Sequence, residues 1–204
     1  LAGKPLIAHT IAQALAWEKA EKIVVSTDSK EIADVARKHG AEVPFMRPAK
    51  LATDTAGKLP VLRHALEECE KIYKTKFDVL VDLDATAPIR TPRDLDRCLE
   101  LFLEKKPKSL FSAVKARKSP YFNMVEVEKD GWAKLSKKSS SALVRRQDAP
   151  EVFSMNASIY FYPRDYILDP KTTSAISNQS VVYVMEDIAS AEVDSEMDFK
   201  FLEF

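Results

Sequence analysis

The sequence predicts an α/β protein with a doubly wound, mostly parallel sheet. Strand and helix patterns alternate along most of the chain, which is typical of repeated β-α-β units. The run from Phe77 to Leu83 is almost entirely apolar, as expected for a strand that helices cover on both faces. With 204 residues and 46% hydrophobic content, the chain is long enough to bury the core of one such domain.

Capping residues and apolar spacing predict where the helices lie. Thr91 and Asp94 have the spacing of a capping box, with a proline between them at the first helical position. Ser195 and Asp198 repeat that spacing near the end of the chain. The predicted helices begin at Leu6 and near Ser195 and span Lys30–His39 (closed by Gly40), Pro60–Tyr73 and Thr91–Glu104.

Short apolar runs between these helices predict the strands. They are Lys22–Ser26, Glu42–Met46, Phe77–Leu83, Ser109–Val114, Ala157–Tyr162, Val181–Met185 and Ala191–Asp194.

A β-hairpin is predicted outside this pattern. The segments Met124–Glu128 and Trp132–Leu135 flank a turn that contains Asp130 and Gly131. The hairpin is interpreted as an excursion that contacts a second subunit, with Tyr121, Phe122 and Trp132 as aromatic anchors. The alternative is a surface flap that packs on its own domain.

The composition and the cysteine and histidine patterns argue against several classes of function. Lysine and arginine total 31, as do aspartate and glutamate, so the basic field of a nucleic-acid-binding protein is absent. No apolar run is long enough to cross a membrane and no secretory signal is visible, which makes the cytoplasm the expected location. Cys69 and Cys98 are predicted to be packed thiols. His9, His39 and His64 fall in separate helices, so zinc and hydrolase sites are not indicated.

Polar residues follow several predicted strands and are expected to converge. Asp84 ends the Phe77 strand just before a helix, where open α/β sheets bind ligands, and Asp28 and Arg47 follow earlier strands. Glu192 and Asp194 are two residues apart, so an extended segment places both carboxylates on one face, which suits Mg²⁺. Ordinary alternatives are a helix cap for Asp28, a solvated charge for Arg47 and an exposed acidic run for the last pair.

Ordered motifs along nearly the whole chain resemble those of one enzyme family, the cytidylyltransferases that activate nonulosonic acids, such as the CMP-sialic acid synthetases and their legionaminic and pseudaminic acid relatives. The motifs are Pro5–Ala8, Ser26–Asp28, Glu31–Ala33, Arg47–Ala49, Leu51–Ala56, Leu83–Arg90, Arg146–Asp148, Asn156–Tyr160 and Val193–Phe199.

This resemblance implies a Rossmann-like nucleotidyltransferase fold, CTP and a nonulosonic acid as substrates, Mg²⁺ as cofactor and pyrophosphate as the released product. It further implies one cytidylyltransferase domain over residues 1–204 and a homodimer formed by an excursion over residues 115–150. The family's Gly-rich, basic triphosphate loop and its strand precede a Leu-Ala-Gly-Lys-Pro segment. This chain begins with that segment, so we expect that its true N-terminus lies upstream of Leu1.

The resemblance also implies roles for individual residues. Asp194, with Glu192 beside it, would hold the metal and serve catalysis. The nucleotide-binding set comprises Asp28, Arg47, Ala56 and Thr86, with Arg47 and the backbone near Ala56 reading cytosine. The sugar-binding set comprises Asp84, Arg146, Asn156 and Tyr160; Arg146 would meet the sugar carboxylate, and Asn156 and Tyr160 would line the same pocket. The alternative for Tyr160 is a purely core role.

Two residues depart from the family pattern. Glu192 stands where the family usually has aspartate, which puts direct ligation of the metal by this residue in doubt. Asp84 stands where sialic acid synthetases tend to have glutamine, so it either meets hydroxyls or a cationic substituent of a different sugar or helps to hold the metal. The second departure favours a legionaminic-type acceptor over N-acetylneuraminic acid.

Two other functions stay open from the sequence. One is a Kdo or UTP-dependent sugar nucleotidyltransferase of similar fold. The other is a non-catalytic scaffold that binds nucleotide sugars.

Overall fold

A computed structural model describes residues 1–138 and 145–203. In this part of the chain the strands are β1 (Val79–Leu83), β2 (Ser109–Lys115), β3 (Val125–Val127), β4 (Ala133–Leu135), β5 (Phe153–Pro163) and β6 (Ser180–Val184). The α-helices are α1 (Leu6–Ala16), α2 (Lys30–Lys38), α3 (Lys58–Tyr73), α4 (Pro92–Lys105), α5 (Arg164–Leu168) and α6 (Glu196–Glu203).

The central sheet has the strand order β1-β5-β2-β6. Strand β5 runs antiparallel to both β1 and β2, whereas β2 and β6 are parallel. Three of the four strands therefore run in one direction, with β5 reversed between them. Parallel neighbours need a long crossover connection, and β5 instead follows the β3–β4 hairpin.

Helices cover both faces of this sheet. Ile159 and Phe161 of β5 pack in one cluster with Leu95 and Phe102 of α4. The alternate β5 residues Tyr160 and Tyr162 pack with leucines of α3 on the other face. This period-two alternation is the α/β layering predicted from the buried strands.

Several local predictions are confirmed. Thr91 and Asp94 form the expected capping box at the start of α4. The Ser195 hydroxyl accepts a hydrogen bond from the Asp198 N–H at 3.3 Å, and the Asp198 carboxylate accepts one from the Ser195 N–H at 2.8 Å. Strands β3 and β4 form the predicted hairpin. Cys69 and Cys98 are both free and buried.

Three strand predictions are wrong. Lys22–Ser26 and Glu42–Met46 meet only at a single parallel bridge, between Val24 and Glu42, and neither belongs to the four-stranded sheet. Ala191–Asp194 is irregular backbone and not a strand; Val193 donates its N–H to the Thr86 carbonyl, in the turn after β1, at 2.8 Å.

No helix in the described residues is long and apolar enough to cross a membrane. The cytoplasmic location stays a prediction.

Candidate functional site

Lys58 joins two acids at the carboxyl end of β1. Its Nζ lies 2.8 Å from Oδ2 of Asp82 and 3.2 Å from Oδ2 of Asp84. Lys58 is the first residue of α3, and its Nζ also lies 3.5 Å from the centre of the Tyr160 ring. The fold brings these groups together because Asp82 and Tyr160 are paired neighbours on β1 and β5.

Burial and charge oppose each other in this cluster. Burial lowers the pKa of Lys58, but the carboxylates of Asp82 and Asp84 raise it, and the net shift is upward, so the ammonium is charged at neutral pH. Burial raises the pKa of Asp82 and Asp84 raises it further, while Lys58 lowers it. Burial also raises the pKa of Tyr160. Lys58 is thus the cation that offsets the repulsion between these two neighbouring carboxylates.

Arg90 fixes the turn that carries Asp84. Its side chain is only 4% exposed. The guanidinium donates to Oε1 of Gln13 at 3.0 Å and to Oγ1 of Thr10 at 2.9 Å. It also donates to the backbone carbonyls of Ser158 and Asp84. Burial lowers the pKa of Arg90 to about 10, while Asp84 and Asp82 raise it, so the charge persists at neutral pH.

A second acidic group lies beside Asp84. Glu192 is half-buried and Asp194 is exposed. Burial raises the pKa of Glu192, and the charges of Asp194 and Asp84 raise it further. The backbone link between Val193 and Thr86 explains this proximity, because it ties the segment to the turn after β1. This hydrogen bond holds the Glu192–Asp194 segment next to the turn that follows Asp84.

Comparison with known proteins identifies the family. A model of the family described as "Cytidylyltransferase" matches residues 1–195. The chain belongs to this family. The protein is therefore a nucleotidyltransferase, and its similarity to a CMP-N,N′-diacetyllegionaminic acid synthase confirms the resemblance to the cytidylyltransferases of nonulosonic acids.

Individual relatives agree with this membership. The cytidylyltransferase is 44% identical over 199 residues to the CMP-N,N′-diacetyllegionaminic acid synthase of Campylobacter jejuni, covering 98% of this chain and 83% of that one. The same figures hold for post-translational flagellin modification protein B of Campylobacter coli. A solved CMP:2-keto-3-deoxy-manno-octonic acid synthetase complexed with CTP has a TM-score of 0.66 at 16% identity, covering 98% of this chain and 86% of that chain, and shows the fold.

The predicted nucleotide-binding residues of the cytidylyltransferase lie in its loops. Arg47 donates to Oγ of Ser26 at 3.2 Å and to the Ser26 carbonyl. The Ala56 N–H donates to the Thr53 carbonyl at 2.9 Å, two residues before Lys58. Asp28 and Thr86 are exposed. The alternative of a cap for Asp28 is wrong, because the Ser29 side chain caps α2.

One sugar-site prediction is wrong in its geometry. Asn156 is 1% exposed; it accepts from the Ser112 hydroxyl at 2.7 Å and donates to the Ala189 carbonyl at 2.9 Å. It also contacts Met185, in the cluster on the α4 side, whereas Tyr160 packs on the α3 side. The two residues therefore do not line one pocket, and Asn156 satisfies buried polar groups of the core instead.

The other predicted sugar-binding residues have different outcomes. Tyr160 belongs to the core and also faces Lys58. Arg146 lies in a short 3-10 helix, Arg146–Asp148, and its side chain is outside the described part of the structure.

The acidic residues fit a hard divalent cation. Among the described residues, no three histidine, cysteine or acidic side chains cluster closely enough to hold a metal alone. Magnesium commonly uses one or two protein carboxylates and takes its other ligands from water and substrate phosphate. Glu192 and Asp194 supply that type of donor.

Three residues of the site were missed by sequence reasoning: Lys58, Asp82 and Arg90. The available signal was Asp82, a lone acid inside an otherwise apolar strand, because a buried acid requires a partner. The partner itself could not be read from the sequence, since Lys58 precedes it by 24 positions and only the fold brings them together.

Proposed function

We propose that this cytidylyltransferase transfers CMP from CTP to the anomeric hydroxyl of a nonulosonic acid. The hydroxyl oxygen forms a bond to the α-phosphorus, the bond from that phosphorus to the pyrophosphate oxygen breaks, and the hydroxyl proton is released. The products are the CMP-sugar and pyrophosphate. The observation that carries the proposal is the near full-length identity of 44% to a CMP-N,N′-diacetyllegionaminic acid synthase.

The favoured acceptor is a legionaminic-type acid. Asp84 offers an acidic hydrogen-bond acceptor at the end of β1, and such an acceptor suits an N–H or O–H substituent of the sugar. The sugar carboxylate is assigned to Arg146, since a planar guanidinium binds carboxylates through two parallel hydrogen bonds.

The proposed cofactor is Mg²⁺, held by Asp194 with Glu192 beside it. When bound, the ion would neutralise charge on the triphosphate and favour departure of pyrophosphate. The protein residues orient the substrates: Arg47 and the backbone near Ala56 would bind the cytosine end. Arg90 keeps the turn that carries Asp84 in place.

A homodimer is proposed through the excursion at residues 115–150. In the β3–β4 hairpin, Val125, Val127 and Trp132 are all exposed, and Trp132 is 76% exposed. Neither strand of the hairpin has a buried residue, which supports subunit contact over a flap that packs on its own domain.

The alternative functions have weaker support. The similarity to the Kdo synthetase is 16% in sequence, so it concerns the fold and gives no reason to prefer Kdo. A non-catalytic scaffold would bind CTP or the sugar without releasing pyrophosphate.

One assay separates these functions. The natural protein, with any residues upstream of Leu1, is mixed with Mg²⁺ and either CTP or UTP, and with N,N′-diacetyllegionaminic acid, N-acetylneuraminic acid or Kdo. Pyrophosphate release is followed over time. The proposal expects the highest kcat/KM with CTP and the legionaminic acid. Preference for UTP or Kdo, or binding without turnover, would contradict it.

A further inference from the structure

Asp84 poses an electrostatic problem that the local structure resolves. A nonulosonic acid carries its own carboxylate, so an acidic residue in its pocket repels it unless that residue is neutralised. Asp82 adds a second acid two residues earlier. A role for these residues in accepting the anionic sugar rests on the proposed function.

Lys58 contacts both acids from a fixed position. It is anchored at the start of α3, its side chain is 31% exposed, and its ammonium lies within 3.2 Å of both carboxylates. The Tyr160 ring lies directly beneath the ammonium and limits where it can move. Of the two carboxylate oxygens of Asp84, the Lys58 ammonium contacts Oδ2. Among the described residues, no side chain or N–H donates a hydrogen bond to Oδ1 of Asp84.

We propose that Lys58 is a positioning residue for acceptor specificity: it neutralises and orients Asp84, so that the free oxygen of Asp84 accepts a hydrogen bond from an N–H or O–H substituent of the sugar acid. The Lys58–Asp84 pair then offers the substituent a hydrogen-bond acceptor whose negative charge is offset locally. Lys58 acts through Asp84 and contacts neither the nucleotide nor the reacting phosphorus.

The position of Lys58 explains why a lysine suits this role. A compact ammonium can pair with two carboxylates at once and still sit over the face of an aromatic ring. Without it, Asp82 and Asp84 would repel each other as well as the substrate. The expected consequence is that loss of Lys58 weakens binding of the sugar much more than binding of CTP.

The test is a set of variants measured by steady-state kinetics with N,N′-diacetyllegionaminic acid and CTP. Lys58→Met removes the charge at similar length, and Lys58→Arg keeps it. Lys71→Met is the matched control, because Lys71 lies on the same helix, is 75% exposed and contacts only Glu68 among the described acids. Asp84→Asn is made alone and together with Lys58→Met.

Lys58→Met is expected to raise the KM for the sugar by about tenfold or more while the KM for CTP changes by less than about twofold. Lys58→Arg is expected to recover most of the loss, and Lys71→Met to match the wild type. In the Asp84→Asn background, Lys58→Met should change the sugar KM by less than about threefold, because Lys58 is proposed to act on the sugar through Asp84, whose charge is gone.

The double variant is needed if Lys58→Met alone does not fold. In that case the comparison of Asp84→Asn with and without Lys58→Met still measures the effect of Lys58. A tenfold rise in that background, or equal rises in the two KM values for Lys58→Met, would overturn the inference. Failure of the wild type to release pyrophosphate with any nonulosonic acid would instead refute the proposed function.

Discussion

The buried Arg90 permits a quantitative prediction of stability. Its guanidinium makes four hydrogen bonds, two of them to the backbone carbonyls of Ser158 and Asp84. Arg90→Met retains much of the apolar volume and removes every donor. Because Ser158 is fully buried, water cannot replace the lost partner of its carbonyl without opening the structure.

The magnitude follows from the two backbone carbonyls that lose their guanidinium donor; the Ser158 carbonyl is fully buried, and the Asp84 carbonyl keeps only the Thr10 hydroxyl, at the long distance of 3.5 Å. Each buried acceptor left without a donor costs about 1–3 kcal/mol, which gives about 2–6 kcal/mol for the pair. Deleting the arginine also removes the cost of burying its charge, which offsets part of this loss. The expected decrease in the free energy of unfolding is therefore about 2–4 kcal/mol.

Urea denaturation at pH 7 measures this decrease, with Arg93→Met as the control, since Arg93 is exposed only three positions away. The free energy of unfolding of the control is expected to lie within about 0.5 kcal/mol of the wild-type value. A loss below about 1 kcal/mol for Arg90→Met would refute the reasoning, because it would mean that the two carbonyls find other donors at little cost.

Three further predictions concern the metal site, pH and assembly. Asp194→Asn is expected to abolish pyrophosphate release without changing the urea midpoint, whereas Asp34→Asn, on an exposed helix face, leaves both unchanged; activity in the Asp194 variant would remove its proposed role. The hydrogen bond from Arg164 lowers the pKa of Glu70 below its ordinary value of about 4.5, so this pair stabilises the protein at neutral pH and ceases to do so as the pH falls through the lowered value. Glu70→Gln should therefore unfold at lower urea than the wild type at pH 7, with a difference that shrinks in acid; a difference independent of pH would show that charge is not its cause. Trp132→Glu should shift the protein from dimer to monomer in sedimentation velocity, and an unchanged dimer would place the interface elsewhere.

Local signals in the sequence predicted the parts of the fold that local interactions determine. The capping box of Thr91 and Asp94 lies within four residues, so its formation does not depend on contacts with distant parts of the chain. The apolar run at β1 likewise predicted a strand correctly, although its residues are half-buried, because β1 lies at one end of the described sheet. Glu192 lies near Asp84, but the cause is the hydrogen bond from Val193 to the Thr86 carbonyl and not the predicted strand at Ala191–Asp194.

Features that depend on distant pairing were not predictable in this way. The segments around Val24 and Glu42 have strand-like composition, but they bridge only each other and lie outside the described sheet. Asn156 belongs to a motif of the family, yet its amide satisfies core groups that come from β2 and from the segment after β6. Sequence spacing identifies which residues are polar, but the partner of each is set by tertiary packing.

The site has two pairs of acidic residues, and only one of them is paired with a cation of the protein. Asp82 and Asp84 share a cation that belongs to the protein, Lys58, which is held by α3. Glu192 and Asp194 form no ion pair with a lysine or arginine anywhere in residues 1–138 and 145–203. Neighbouring carboxylates repel each other unless a cation offsets them, and the proposed Mg²⁺ would supply that cation for the second pair. Under the proposed function, the pair with its own cation would face an uncharged part of the sugar, and the pair without one would face the metal-bound triphosphate.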